Sequence, residues 1–210
     1  MGYSGRMDTG DLGLRDRKRL AAMHRIQTVA LDLFERDGYA DVTVEQIAEA
    51  SDVSPSSVYR YFGAKEQILV WDEFDRILPG VMRAALADPV PLSGLRRAIG
   101  VAMAGFTDED EQRVARRLRL IMGSPALESA VNGHTYVLAE AIGKLLAERL
   151  GRPSADLEVQ VFAHAFIGGL LGALHHWHGT DFADPLRGVL ERCFVIFEEG
   201  LDIVAAATGG

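Results

Sequence analysis

Residues 54–66 read SPSSVYRYFGAKE and crowd hydrogen-bond donors into a short span: Ser56, Ser57, Tyr59, Arg60 and Tyr61, with Lys65 just beyond. Such a set can donate to phosphate oxygens and base edges. A guanidinium pairs bidentately with guanine, and tyrosine hydroxyls fix register on a sugar–phosphate backbone. At about 100° per residue, Val58 and Phe62 share one apolar face of a helix. Arg60 lies opposite, flanked by Ser56 and Ser57, with Tyr59 and Tyr61 towards the edges. Lys65, past the end of that helix, is placed to meet a phosphate.

The elements that must position these groups lie upstream. Thr43 followed three residues later by Gln46 is a capping-box pattern, which opens a short helix with Ile47 and Ala48 turned to the core. Thr43 also brings a hydroxyl to a helix N-terminus, where free backbone N–H groups favour an anion. Asp52-Val53 makes a tight turn, Ser54 can N-cap the next helix, and Pro55 takes its first position. Two short helices joined by a tight turn predict helix-turn-helix geometry, with the second helix as reader. A first helix over 15–37, with an apolar stripe of Ala22, Ile26, Val29, Ala30, Leu33 and Phe34, ends at Gly38 and supports the pair. Arg15, Arg17, Lys18, Arg19 and Arg25 against Asp16 make its start basic, although the chain carries a net charge of −8. A local positive patch on an acidic remainder suits phosphate binding with little nonspecific adhesion.

Beyond Gly63 the pattern predicts a connecting helix from Ala64, kinked or ended at Pro79-Gly80, and then helical runs at about 92–106, 109–122, 125–149, 154–177 and 184–206. The chain thus reads as all-α: a flexible N-terminal arm (1–14), a three-helix helix-turn-helix head (15–63) and a larger helical body (64–210). Ala165, Gly169 and Ala173 recur four residues apart, with Gly168 and Gly172 beside them, and open a helix face to close approach. Trp71, Phe74, Leu78, Met82, Met103, Phe106, Leu118, Met122 and Tyr136 are candidates for an apolar cavity, with Arg117 among the polar groups that orient a ligand.

Several classes of function find no support. There is no phosphate-cradling glycine loop and no nucleophile elbow, so no enzyme and no cofactor are expected. Cys193 is the single cysteine, which excludes an internal disulfide and fits a reduced, cytoplasmic compartment. No polar-flanked apolar segment suggests a signal peptide, and no apolar run reaches the roughly 18 residues of a membrane span. His175, His178 and Asp181 raise a metal-sensing alternative, but histidines at a helix C-terminus are favoured by its dipole without a metal.

The stretch TVEQIAEASDVSPSSVYRYFGAKEQIL, with ALDLFERDGYADV before it, resembles the DNA-binding head of the TetR family of bacterial transcriptional regulators over residues 17–70. The resemblance implies a homodimer on a palindromic operator, with Thr43, Ser56, Ser57, Tyr59, Arg60, Tyr61 and Lys65 as DNA contacts. It implies a body that binds a small apolar effector, and a connecting helix that transmits the event and releases a repressor. It also assigns the last two long helices to the dimer, with Ala165, Gly169, Ala173, Leu190, Phe194 and Phe197 at the interface. WDEFDRILPGVMRAAL, RLRLIMGSPAL and the HHW ending are similar to regulators whose C-terminal domain is described as acyl-CoA-like ligand binding, including the mycofactocin-associated type. A helical ligand-binding protein or enzyme with a vestigial head is the alternative from another class.

Overall fold

The computed structural model describes residues 13–71, 82–85 and 88–201, and the regular structure among them is entirely helical. The expected all-α class holds. The expected N-terminal arm (through residue 12), Phe74, Leu78 and the kink at Pro79 lie outside the described residues.

Helix α1 (Leu14–Asp37) is followed by α2 (Val44–Ala50), α3 (Pro55–Phe62) and α4 (Lys65–Val70). The buried face of α1 carries Met23, Ile26, Gln27, Ala30, Leu31 and Phe34. It is rotated from the expected stripe, leaving Ala22, Val29 and Leu33 half-buried at its rim. The rotation follows from what covers the helix: Ile47, Ala48, Val58 and Phe62 from α2 and α3, Ile68 and Leu69 from α4, and Ile121 and Leu127 from the body. Each fully buried Leu, Ile or Phe in this nucleus contributes about 1.5–3 kcal/mol.

Local sequence ends each of these helices. Gly38 at φ 90° and Gly63 at φ 81° stop α1 and α3 in conformations that other residues avoid. Helix α4 is shorter than the expected connecting helix. Trp71 leaves helical geometry at φ −58°, ψ 132°, before any proline. Gln27 Nε2 donates to the carbonyls of Ile68 and Trp71 at 2.7 and 2.9 Å, so a buried side-chain amide takes acceptors at the end of the helix.

Beyond α4, the body comprises α5 (Pro91–Ala104), α6 (Asp108–Met122), α7 (Pro125–Leu150), α8 (Leu157–Gly179) and α9 (Leu186–Glu198), and residues 82–85 are also helical. Helix α8 lies along α7, where Gly143 faces Val159 and Ala163, and α9 lies along α8. Two apolar clusters fill the interior. One gathers Leu95, Ile142, Leu146, Ala163, Phe166 and Phe194; the other gathers Leu118, Trp177, Leu186, Val189 and Cys193. Helix α9 ends earlier than expected. Gly200 at φ 81° lets its own N–H reach Phe197 O and the Leu201 N–H reach Ile196 O, the paired bonds of a Schellman stop.

Helix α8 corrects one expectation. By length and composition it is apolar enough to cross a membrane, with a mean hydropathy of 1.5, and only 17% of that window is buried within the chain. Its stretch VFAHAFIGGLLGALHHW is the longest apolar candidate in the sequence, set aside there for its histidines and the polar loop that follows.

Candidate nucleic-acid interface

The α2–turn–α3 unit forms through the predicted caps. Gln46 N donates to Thr43 Oγ1 at 3.2 Å, and Thr43 N donates to Gln46 Oε1 at 2.7 Å. Such a box removes two orphan donors and stabilises a helix start by about 1 kcal/mol. Asp52 turns the chain at φ 53°, and Val53 N closes the turn on Ala48 O. Ser54 Oγ accepts from Ser57 N at 3.3 Å, with Pro55 in the first turn.

Helix α3 then divides by face. Val58 and Phe62 are buried against α1 and α2, while Ser56, Tyr59 and Arg60 are exposed, Tyr59 to 48%. The three serine hydroxyls meet at the helix start, with Ser54 Oγ 2.9 Å from both Ser56 Oγ and Ser57 Oγ. Arg60 Nη2 donates to Ser57 Oγ at 3.0 Å, so the guanidinium rests on the face it would have to present. Tyr61 is half-buried, with Arg60 5.0 Å and Arg19 5.8 Å from its ring centroid. Through Arg19 and Arg60 this ring links the exposed basic start of α1 (Arg15, Arg17, Lys18, Arg19) to α3.

Lys65 sits differently from the other expected contacts. Its ammonium donates to the carbonyls of Tyr39 and Val42 at 2.7 and 2.9 Å and lies 4.2 Å from the Tyr39 ring centroid. It ties α4 to the α1–α2 loop, because that loop leaves two carbonyls without backbone donors. Gln27 has the same kind of role and was not singled out from sequence. The available signal was a lone amide among Met23, Ile26, Ala30 and Phe34 at helical spacing.

The expected cavity residues do not gather at one place. Trp71 packs against the head, edge-on to His24 at 5.3 Å and to Phe62 at 5.9 Å. Met82 is buried in the Phe166 cluster, whereas Phe106, Leu118 and Met122 pack around Trp177. Tyr136 is 60% exposed, and Arg117 on α6 is half-buried with its Nε sealed from solvent. Met103 borders a shallow, open depression between α5 and α9, shared with Ile99, Leu190 and Phe194 and with room for about one water molecule. Helical periodicity marked these side chains as apolar-facing but could not say which cluster each one faced.

Several of the expected dimer residues are occupied within one copy. Phe194 is 1% exposed and Ala173 is 9%, both inside this chain's own clusters. A Cβ on Gly169 would overlap the Phe197 ring, so that glycine serves the contact between α8 and α9 of one copy. Leu190 is half-buried beside the depression, and Ala165 is half-buried on α8. The faces left open are Leu157, Val161, Gly168 and Gly172 on α8, and Val195 and Ile196 on α9. Among the described residues no three His, Cys, Asp or Glu side chains group to hold a metal, and His178 is edge-on to Phe182 at 5.7 Å.

Comparison with known proteins agrees with this arrangement. Residues 26–70 match the family of bacterial regulatory proteins, tetR family, and residues 90–202 match the family described as MftR C-terminal domain. The protein of Mycobacterium tuberculosis named MftR, for mycofactocin biosynthesis transcriptional regulator, is 30% identical over 189 residues, covering 89% of this chain and 94% of its own. Two solved structures share the fold. Thermus thermophilus FadR, a repressor in complex with lauroyl-CoA, has a TM-score of 0.52 at 22% identity, covering 90% of this chain and 99% of its own. The complex of SmeT, the Stenotrophomonas maltophilia efflux-pump repressor, with triclosan has a TM-score of 0.56 at 16% identity, covering 90% and 98%. A capped reading helix beside a basic α1, and family matches over both parts of the chain, lead to one conclusion: this chain belongs to the TetR family of bacterial transcriptional regulators.

Proposed function

We propose that the chain works as a homodimer whose two α3 helices enter successive major grooves of a palindromic operator. The observation that carries this is the outward face of α3, where Ser56, Tyr59 and Arg60 stand exposed on a helix fixed by its caps and by Val58 and Phe62. Arg60 reads a base edge. Ser56, Ser57, Tyr59, Tyr61 and the Thr43 end of α2 hold the phosphates, and Lys65 shapes the loop beside them. The division of labour is a DNA-binding head over 15–63 and a body over 64–210 that binds ligand and dimerises, without catalysis, in the cytoplasm where the operator is.

The dimer face is the open side of α8 and α9. Leu157 is 75% exposed and Val161 57%, in line with Gly168 and Gly172, and Val195 and Ile196 continue the surface. An apolar helix this open needs cover. A second copy supplies the same patch by two-fold symmetry, and the flat glycine stretch admits close helix approach.

The effector is a small apolar molecule of the acyl-CoA class. The lauroyl-CoA complex of the FadR neighbour and the match to the MftR C-terminal domain support that class. Release follows if the effector binds the arrangement of heads that does not fit DNA more tightly than the one that does. The test is a random-library selection of duplex DNA by the purified protein, followed by salt-titrated mobility shifts with and without lauroyl-CoA. A selected palindrome whose shift is lost on adding the thioester is the expected result. Enrichment of no sequence overturns the operator reading, and a shift indifferent to acyl-CoAs of every length overturns the effector class.

A further inference from the structure

Helix α6 holds three other parts of the molecule through polar side chains. Near its start, Glu111 Oε1 accepts from Leu186 N at 3.2 Å and so caps α9. Near its end, Arg119 lies 4.4 Å from the Phe182 ring centroid, in the turn between α8 and α9. That turn holds two successive non-glycine residues, Asp181 and Phe182, at φ 50° and 59°. Between these points Arg116 reaches the head. Its Nε donates to Glu35 Oε1 at 2.8 Å, and its Nη2 donates to Glu35 Oε2 at 2.7 Å and to Asp32 Oδ1 at 2.6 Å. Asp32 and Glu35 are one turn apart on α1, so a planar fork meets two carboxylates across a sequence separation of more than 80 residues.

We propose that Arg116 is a positioning residue that fixes the head at one angle on the body, so that the two heads of a dimer match a single half-site spacing. The inference rests on the operator-binding reading above, and three observations lead to it. The fork joins α1, which carries the reading unit, to the one helix tied by Glu111 and Arg119 to the α8–α9 pair. The apolar contact between head and body, Ile121 and Leu127 against α1 and α4, is non-directional and permits rocking, whereas a bidentate fork fixes orientation. The carboxylates are 63% and 41% exposed, so the fork adds little to stability and its measurable effect is geometric. The hydrogen bonds that Arg116 donates to Glu35, and then to Asp32, raise its pKa above the ordinary arginine value despite some burial.

The test uses the full chain in a Cys193→Ala background with nitroxides on Glu49→Cys and Lys144→Cys, both exposed positions, diluted with unlabelled protein. Pulsed electron resonance then gives the head-to-body distance distribution. Arg116→Met keeps the apolar stem and removes the fork. It is expected to broaden the distribution with the melting temperature nearly unchanged. The Asp32→Asn, Glu35→Gln double variant broadens it equally, and Arg116→Glu with Glu35→Arg narrows it again. On a palindrome selected by the wild-type chain, Arg116→Met weakens binding about tenfold, within the usual range for such couplings. Half-site affinity stays constant, and a base pair inserted between half-sites is tolerated. An unchanged distance distribution in Arg116→Met overturns the proposal, as does an equal loss on half-site and palindrome, which marks damage to the head itself. If the wild-type chain selects no palindrome, the operator reading fails, while the distance distribution still decides whether Arg116 fixes the head.

Discussion

Helices α3 and α8 both leave a face uncovered, and the two faces convey different amounts. Over eight residues α3 exposes hydroxyls and a guanidinium. These are directional donors whose geometry specifies a polyanion with readable edges. Over 23 residues α8 exposes Leu157, Val161, Gly168 and Gly172. That apolar surface specifies only that water should leave it. A polar face identifies its partner by complementary chemistry. An apolar face identifies it by shape and symmetry, which one copy of a chain holds only in part. The head is therefore decoded by local rules, and the body by its assembly.

The largest expected effect breaks the comparison on the α3 side. Arg60→Ala should reduce specific operator affinity by roughly ten- to a hundredfold, since a bidentate guanine contact is worth about 1–3 kcal/mol. Circular dichroism should be unchanged, because Arg60 is exposed and, among the described residues, engages Ser57 and Tyr61 of its own helix. Equal affinity for specific and scrambled duplexes in the wild type would remove the distinction altogether. Next comes a buried polar group in the head. Gln27→Leu leaves the carbonyls of Ile68 and Trp71 without their donor, and urea unfolding should show a loss of about 1–3 kcal/mol. The adjacent glycines of α8 sharpen the contrast within one helix. Gly169→Ala drives a Cβ into the Phe197 ring and should destabilise the fold of each copy by about 1–3 kcal/mol, whereas Gly168→Ala meets nothing in its own chain, should leave the fold of each copy within about 1 kcal/mol of wild type, and should show its cost in dimer dissociation instead. Reversed magnitudes in thermal melts would show that α8 is rotated from the arrangement described. The smallest effect is Thr43→Ala, about 1 kcal/mol for a lost cap, read in the same unfolding experiment.

What could be read from sequence follows the same divide. Thr43 with Gln46, Ser54 with Pro55, and Gly63 are decided within a few residues, so the bounds of α2 and α3 and the exposed set on α3 were legible before any tertiary contact. Gln27 and Lys65 were not, because each acts on backbone carbonyls far away in sequence or left over by a loop. In α9, Phe194 and Ile196 are equally apolar, yet one is buried and the other 46% exposed. No local rule distinguishes them, since the choice depends on where Phe166 and Leu95 stand in the finished bundle. Arg116 belongs to the same class. Its charge was visible, but its partners on α1 lie more than 80 residues away in sequence.

The lone cysteine has a practical consequence. Cys193 sits on α9 in the Trp177 cluster, and burial raises its thiol pKa. Thiolate and access are both scarcer while that packing holds, so the rate at which a thiol reagent modifies the unaltered protein is a clock for the breathing of α9. Anything that tightens the body, whether a second copy or an effector, would slow that clock, and no label need be engineered to see it.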